Sequence, residues 1–184
     1  MPTFIYKPKG KAAEYGDYAL NIYTGCPHNC SFCFSPGVLR RAKDEFHNNV
    51  YPRANILEGV REQLKQNGMK GKLIHLCFVC DPYPKGCDSS MTREIIKIIK
   101  ASGNHVQILT KNGTDATRDF DLLDGNDWFG ISYSGYETKE FYYETLEDGF
   151  SPIAHRLGFP VSCKDEHKIR HQISYENGVR IDKI

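Results

Sequence analysis

Three cysteines stand close together near the start of the chain. Cys26, Cys30 and Cys33 have the spacing Cys-x3-Cys-x2-Cys and follow a short apolar and aromatic run. A loop of this length can bring three thiolates to one centre, so the spacing predicts a metal site. An iron–sulfur cube usually takes four cysteine ligands, so three would leave one iron with an open position for chemistry.

Two other roles for these thiols have less support from the sequence. Zinc could be bound with His28 or a distant side chain as the fourth ligand, but zinc sites of this kind usually pair their ligands two and two. A disulfide framework needs an oxidising compartment, whereas the seven cysteines are an odd number and residues 1–10 hold no apolar signal segment. Reduced thiols and an oxygen-sensitive cluster predict a cytoplasmic protein.

The middle of the chain alternates between patterns typical of strands and of helices. Strands are predicted over residues 18–23, 73–80, 105–110 and 127–133, and helices from the cap Asn55 to Gly68, from Ser89 or Ser90 to Gly103, and over 114–123. Repeated units of this kind predict an α/β fold with parallel strands and right-handed crossovers.

The polar motifs follow the predicted strands where each strand ends. The cysteine loop follows the first strand, Asp81 the second and Lys111 the third, while Ser132 and Ser134 end the fourth. Ligands of parallel α/β sheets gather at the carboxyl ends of the strands. The sequence therefore predicts one site at this edge.

Three segments carry a resemblance to a known family. They are Asn21-x-Tyr23-x-Gly25-Cys26-x3-Cys30-x2-Cys33-Phe34, then Asp81-Pro82-Tyr83-Pro84, then Ile108-Leu109-Thr110-Lys111-Asn112. Over residues 18 to about 150, the chain resembles the radical S-adenosylmethionine (radical SAM) superfamily, in the branch around spore photoproduct lyase.

The resemblance implies a fold, cofactors and a reaction. The fold would be a partial, incomplete (βα) barrel of parallel strands. Cys26, Cys30 and Cys33 would hold a 4Fe-4S cluster whose remaining iron is chelated by S-adenosylmethionine. Reductive cleavage of that molecule would give a 5′-deoxyadenosyl radical that acts on an unknown substrate. An electron donor such as flavodoxin or ferredoxin would be a partner.

The resemblance also suggests contacts to S-adenosylmethionine. Phe32 would shield the cluster near the adenine, or it is a core aromatic. Lys111 would pair with the carboxylate, or it lies at the rim of the sheet. Ser132 and Ser134 would bond the carboxylate or ribose, or they are solvated. Asp81 would accept the ammonium of S-adenosylmethionine, or it would only shape a turn. Other radical SAM proteins hold the ammonium with a Gly-Gly-Glu turn at this place, and this chain departs from that pattern. No catalytic residue is assigned.

The remaining cysteines suggest no second metal site. Cys77 and Cys80 would face opposite sides of an extended strand, which predicts buried structural thiols. Cys80 is also a candidate hydrogen-atom donor, because spore photoproduct lyase uses a cysteine in that way. Cys87 and Cys163 receive no role.

Charge and length limit the function. The net charge of +1 gives nucleic acid binding no support, although the resemblance leaves it open. No apolar run is long enough to cross a bilayer. Residues 1–150 are predicted as the core and 151–184 as a divergent, poorly ordered tail, too short to complete a barrel. An open edge after the fourth strand would favour self-association. The rival interpretations are a truncated, non-catalytic cluster-binding remnant and a zinc-binding structural module.

Overall fold

Four short parallel strands carry the fold. The computed structural model describes residues 3–132. In chain order the elements are β1 (Tyr18–Leu20), β2 (Tyr23–Thr24), α1 (Ser35–Leu39), α2 (Lys43–Asn48), β3 (Tyr51–Pro52), α3 (Ile56–Asn67), β4 (Leu73–Leu76), α4 (Ser90–Ala101), β5 (His105–Thr110), α5 (Gly113–Ala116) and β6 (Trp128–Ile131), with 3-10 helices at Gly10–Glu14 and Thr117–Leu122.

The main sheet has the order β1-β4-β5-β6, and each neighbouring pair is parallel. Its register places Leu20 beside Leu76, Leu76 beside Ile108, and Ile108 beside Phe129. This row of apolar side chains crosses the whole sheet and is buried. The predicted α/β fold is confirmed as a partial, open barrel of parallel strands in the described residues.

Two amphipathic helices, α3 and α4, contribute side chains to the same hydrophobic core as this row. The helical spacing of the sequence predicts apolar faces, and their aliphatic residues are buried, namely Ile56, Val60 and Leu64 in α3 and Ile95, Ile98 and Ile99 in α4, while α4 also buries Thr92 and Ile96. Burying each aliphatic side chain stabilises the fold by about 1.5–3 kcal/mol. The helix patterns of the sequence therefore correctly identify the layer that supports the sheet.

The first predicted strand is divided in two. After Leu20 the chain leaves the main sheet, and β2 pairs antiparallel with β3, a strand that the sequence did not predict. The side-chain oxygen of Asn21 accepts hydrogen bonds from the backbone nitrogens of Phe78 and Val79, at 2.9 and 3.1 Å. Asn21 thus ties the point of departure to the segment that follows β4.

The helix ends also differ from the predicted capping pattern. Asn55 has a left-handed φ of 56° and makes no capping hydrogen bond through its side chain. Gly68 ends α3 in a left-handed conformation, as predicted. At α4, the carboxylate of Asp88 accepts bonds from the nitrogen and the hydroxyl of Ser90. The helix predicted over 114–123 is α5 followed by a 3-10 helix.

The second predicted strand is shorter than expected. It ends at Leu76, because Cys77 has a left-handed φ of 71°. The alternation that placed Cys77 and Cys80 on opposite faces of a strand over 73–80 therefore does not apply. The prediction that the two thiols face opposite sides of a strand is wrong, and the side chain of Cys80 is a hydrogen-bonding neighbour of Cys77.

Several predictions concern residues outside 3–132. These are the tail 151–184, the boundary at residue 150, Cys163, and the sheet edge beyond the fourth strand. Within the described part of the chain, no helix has the length and apolar character that a membrane span requires.

Gly59 offers a test of the packing against α3. A Cβ atom there would lie 1.9 Å from Cε2 of Phe4, a buried ring. We expect Gly59→Ala to lower the free energy of unfolding by about 1–2 kcal/mol, because the cost of overpacking exceeds the gain in helix propensity.

Gly37→Ala is the matched control, because its Cβ would meet nothing within 4 Å. Urea unfolding should show Gly37→Ala to be as stable as the parent chain or slightly more so. Equal midpoints for the two variants would contradict the packing argument.

Candidate functional site

The predicted motifs meet at the carboxyl edge of the sheet. Lys111 follows β5, and its Nζ lies 5.6 Å from the ring centroid of Phe32, in the cysteine loop. The same Nζ donates a hydrogen bond to the carbonyl of Ser132, at 3.3 Å. The backbone nitrogen of Lys111 donates to Oδ2 of Asp81, at 2.8 Å. Four of the predicted site residues are thus close together, whereas Ser134 lies outside the described residues.

The cysteine loop is shaped by a close approach to α2 and to the residue that follows this helix. Gly25 has a φ of 82°, and a Cβ atom there would lie 2.2 Å from the carbonyl oxygen of Asn49. The backbone nitrogen of Cys26 donates to the carbonyl of Phe46, at 3.1 Å. Nδ1 of His47 donates to the carbonyl of Cys26, at 2.7 Å. Helix α2 therefore fixes the position of the first cysteine.

The three cysteines of the loop are half-buried and form no disulfide. The backbone nitrogen of Cys33 donates to the carbonyl of Cys30, at 3.0 Å, which closes a turn. Burial raises the pKa of the Cys26 thiol well above its usual range, although a hydrogen bond from the backbone of His28 opposes this. A thiol in such surroundings ionises when a cation compensates its charge, as in a metal centre.

The donor set of the loop suits a cluster. Among residues 3–132, the one trio of His, Cys, Asp or Glu ligand atoms within 4.8 Å of one another belongs to His105, Asp124 and Asp127, so the three loop thiols are not all within that distance of one another. In a 4Fe-4S cluster each cysteine binds a different iron, and three thiolates on one loop can serve as such ligands.

The trio near β5 is explained without a metal. Nζ of Lys100 forms ion pairs with the carboxylates of Asp124, at 2.5 Å, and of Asp127. Asp127 is fully buried, and its other oxygen accepts a hydrogen bond from the nitrogen of Val106. A lysine ammonium already supplies the positive charge, so this group holds the start of β5 in place.

Asp81 is the most highly connected side chain of the candidate site. Its Oδ1 accepts hydrogen bonds from the nitrogen of Tyr83, at 2.8 Å, and from the hydroxyl of Thr110, at 2.6 Å. Its Oδ2 accepts the bond from Lys111, and the residue is only 7% exposed. The carboxylate therefore joins the ends of β4 and β5.

His28 brings the cysteine loop to the same carboxylate. Its Nε2 lies 3.5 Å from Oδ2 of Asp81, and it is buried without a hydrogen-bond partner. Burial raises the pKa of Asp81, while the electrostatic influence of the neighbouring His28 and the hydrogen bonds from the two strand ends oppose that shift. The sequence suggested His28 only as a zinc ligand, and no local pattern indicated this contact with Asp81.

The aromatic side chains of the loop face outward. Phe32 is 54% exposed and Phe34 is 61% exposed, so the alternative that Phe32 is a core aromatic is wrong. Val38 and Leu39, at the end of α1, are exposed as well. Exposed aromatic rings therefore flank Cys33 in the chain, and the ring of Phe32 lies beside the ammonium of Lys111.

A buried polar group lies on the opposite face of the sheet from Ile74 and Leu76. The ring of His75 stacks on Phe78, with 4.0 Å between centroids, and its Nδ1 lies 3.3 Å from Oε1 of Gln107. Burial lowers the pKa of His75 to about 4, so its imidazole is neutral at neutral pH. The strand pattern gave no sign of this pair, because both residues lie inside otherwise apolar runs.

Comparison with known proteins gives a distant likeness. No family model matches the chain. Uncharacterised proteins of Mycobacterium bovis and of two strains of Mycobacterium tuberculosis are 29% identical over 117 residues, which is 58% of this chain and 32% of each relative. The chain thus spans about a third of the length of the curated relatives it matches.

A solved structure shares the fold. It is a variant of spore photoproduct lyase with bound S-adenosylmethionine and dinucleoside spore photoproduct. The TM-score is 0.54 at 14% sequence identity, and the match covers 73% of this chain and 42% of the other. This likeness shows a mixed α/β fold with a parallel four-stranded sheet, consistent with a partial radical SAM barrel.

Proposed function

We propose that this chain is the cofactor-binding core of a radical SAM iron–sulfur protein. Cys26, Cys30 and Cys33 would hold a 4Fe-4S cluster, and S-adenosylmethionine would bind between the cysteine loop and the ends of the strands. The observation that carries the proposal is the position of Lys111. Its ammonium lies at once beside Phe32 of the loop and beside the carbonyl of Ser132.

The side chains at this edge suit the parts of S-adenosylmethionine. The ammonium of Lys111 would bind the carboxylate, because a cation at a sheet edge interacts strongly with an anion that is shielded from water. The exposed ring of Phe32 would lie against the adenine, and Ser132 would bind the carboxylate or the ribose. When bound, the cluster would supply the electron for reductive cleavage of the sulfonium, and a donor such as flavodoxin or ferredoxin would restore it.

Asp81 receives a different role from the one that the sequence suggested. Its oxygens already accept three hydrogen bonds and face His28. A carboxylate with these partners has little capacity left for the ammonium of S-adenosylmethionine. We propose that Asp81 positions the cysteine loop and Lys111 relative to each other.

Anaerobically purified protein tests the function directly. Iron and acid-labile sulfide should be present, and the reduced protein should convert S-adenosylmethionine to methionine and 5′-deoxyadenosine. Zinc in place of iron would refute the cluster. Iron and sulfide without cleavage would support a non-catalytic, cluster-binding protein instead.

The ligand set predicts a selective loss of iron. Cys30→Ala should abolish the binding of iron and sulfide, because a cube with two cysteine ligands is poorly held. Cys87→Ala is the matched control, since Cys87 is also half-buried in a loop but lies outside the cluster of motifs. Metal analysis of both variants decides the matter, and equal loss of iron would show that the ligands are wrongly assigned.

The shape of the loop predicts a second effect on iron. Gly25→Ala would place a Cβ atom 2.2 Å from the backbone oxygen of Asn49, just after α2, so the loop must shift and its iron content should fall. Gly10→Ala imposes a similar strain at a φ of 61° but has nothing within 4 Å of the new atom. It should therefore keep its iron. A loss in both variants would indicate general destabilisation rather than a shaped loop.

The proposed role of Lys111 predicts a change in the affinity for S-adenosylmethionine when this lysine is removed. Lys111→Ala should weaken S-adenosylmethionine binding by about 1.5–3 kcal/mol, the range for a hydrogen bond to a charged group. Lys97→Ala removes an exposed lysine paired with Glu94 and should leave the affinity unchanged. Calorimetric titration of the cluster-loaded variants measures both, and an unchanged affinity for Lys111→Ala would place this lysine outside the site.

A further inference from the structure

A second pair of cysteines lies in the segment after β4, with the spacing Cys-x-x-Cys. Cys77 and Cys80 enclose Phe78 and Val79, whose backbone nitrogens both donate to the side-chain oxygen of Asn21. Together with the left-handed φ of Cys77, these bonds bend the segment away from an extended strand. The side chain of Cys80 is a hydrogen-bonding neighbour of the Cys77 thiol, so the two thiols are close together.

The two thiols have unequal surroundings. Cys77 is 6% exposed, and its sulfur accepts a hydrogen bond from the nitrogen of Ile22, at 3.4 Å. Cys80 is only half-buried. Burial, and then the neighbouring thiol of Cys80, raise the pKa of Cys77. The accessible member of the pair is therefore Cys80, and the protected member is Cys77.

We propose that Cys77 and Cys80 form a redox site, a dithiol that is converted reversibly to an intramolecular disulfide by exchange with a low-molecular-weight disulfide. Paired thiols at this spacing next to a βαβ unit are typical of thiol–disulfide chemistry. The site goes beyond the proposed function, because none of the cluster ligands belongs to it and its chemistry needs no cluster.

The exchange is balanced in two steps. The thiolate of Cys80 attacks one sulfur of the small disulfide, the sulfur–sulfur bond breaks, and one small thiol leaves with the proton from Cys80. The thiolate of Cys77 then attacks the sulfur of Cys80, and a second small thiol leaves with the proton from Cys77. The protein loses two electrons and two protons, and the small disulfide is reduced to two thiols.

The pair is linked directly to two segments of the candidate site. Cys80 directly precedes Asp81, and Cys77 is bonded to Ile22, which lies just before the strand that leads into the cysteine loop. A new covalent bond between the two sulfurs would stiffen the segment that Asn21 holds. A change in the oxidation state of the pair would thus affect the segments on both sides of the candidate site.

The sequence allows a direct test by mass spectrometry. Trypsin releases residues 73–85 as one peptide, which contains Cys77 and Cys80 and no other cysteine. The full chain, purified anaerobically, is equilibrated with mixtures of reduced and oxidised glutathione. It is then quenched in acid, alkylated under denaturing conditions and digested. As oxidised glutathione increases, alkylation of both cysteines should be lost together, and the peptide should become two hydrogens lighter. Dithiothreitol should reverse this.

Variants distinguish the attacking thiol of Cys80 from the resolving thiol of Cys77. Cys77→Ser should accumulate a lasting glutathione adduct on Cys80, because the resolving thiol is missing. Cys87→Ser should behave like the parent chain. Full alkylation of both cysteines at every glutathione ratio would overturn the proposal. A disulfide from Cys80 to Cys26 or Cys87, or a stable glutathione adduct on Cys80 in the parent chain, would overturn it equally.

Discussion

A single buried carboxylate connects the parts of the candidate site. Asp81 accepts hydrogen bonds from the segment after β4, from the last residue of β5 and from the nitrogen of Lys111, while His28 approaches it from the cysteine loop. Burying a carboxylate is costly unless its oxygens are satisfied, so these partners are held to it and therefore to one another. The positions of the loop and of the strand ends follow from this constraint.

The sheet provides the frame on which that constraint acts. A row of apolar side chains joins all four strands, and the parallel order places every strand end at the same edge. The loops at that edge therefore begin from fixed points. Lys111 can reach both Phe32 and Ser132 because β5 lies inside the sheet, between β4 and β6.

The periodic parts of the fold could be predicted from the sequence, and the departures from regular structure could not. The apolar faces of α3 and α4 and the site residues after each strand follow directly from side-chain spacing. The split of the first strand at Asn21 and the end of β4 at Cys77 depend on hydrogen bonds between segments more than fifty residues apart. The contact of His28 with Asp81 has the same origin, because local patterns contain no information on such long-range pairs.

The close fit of Gly25 and Cys26 against α2 bears on the order in which the molecule is assembled. The residues that hold the cysteine loop come after it in the chain, with Cys26 and His47 separated by 21 positions. During synthesis, the thiols leave the ribosome before the helix that shapes their loop. The loop acquires its geometry only when that helix folds back on it, so metal delivered to the nascent chain before then would meet flexible, competing thiols.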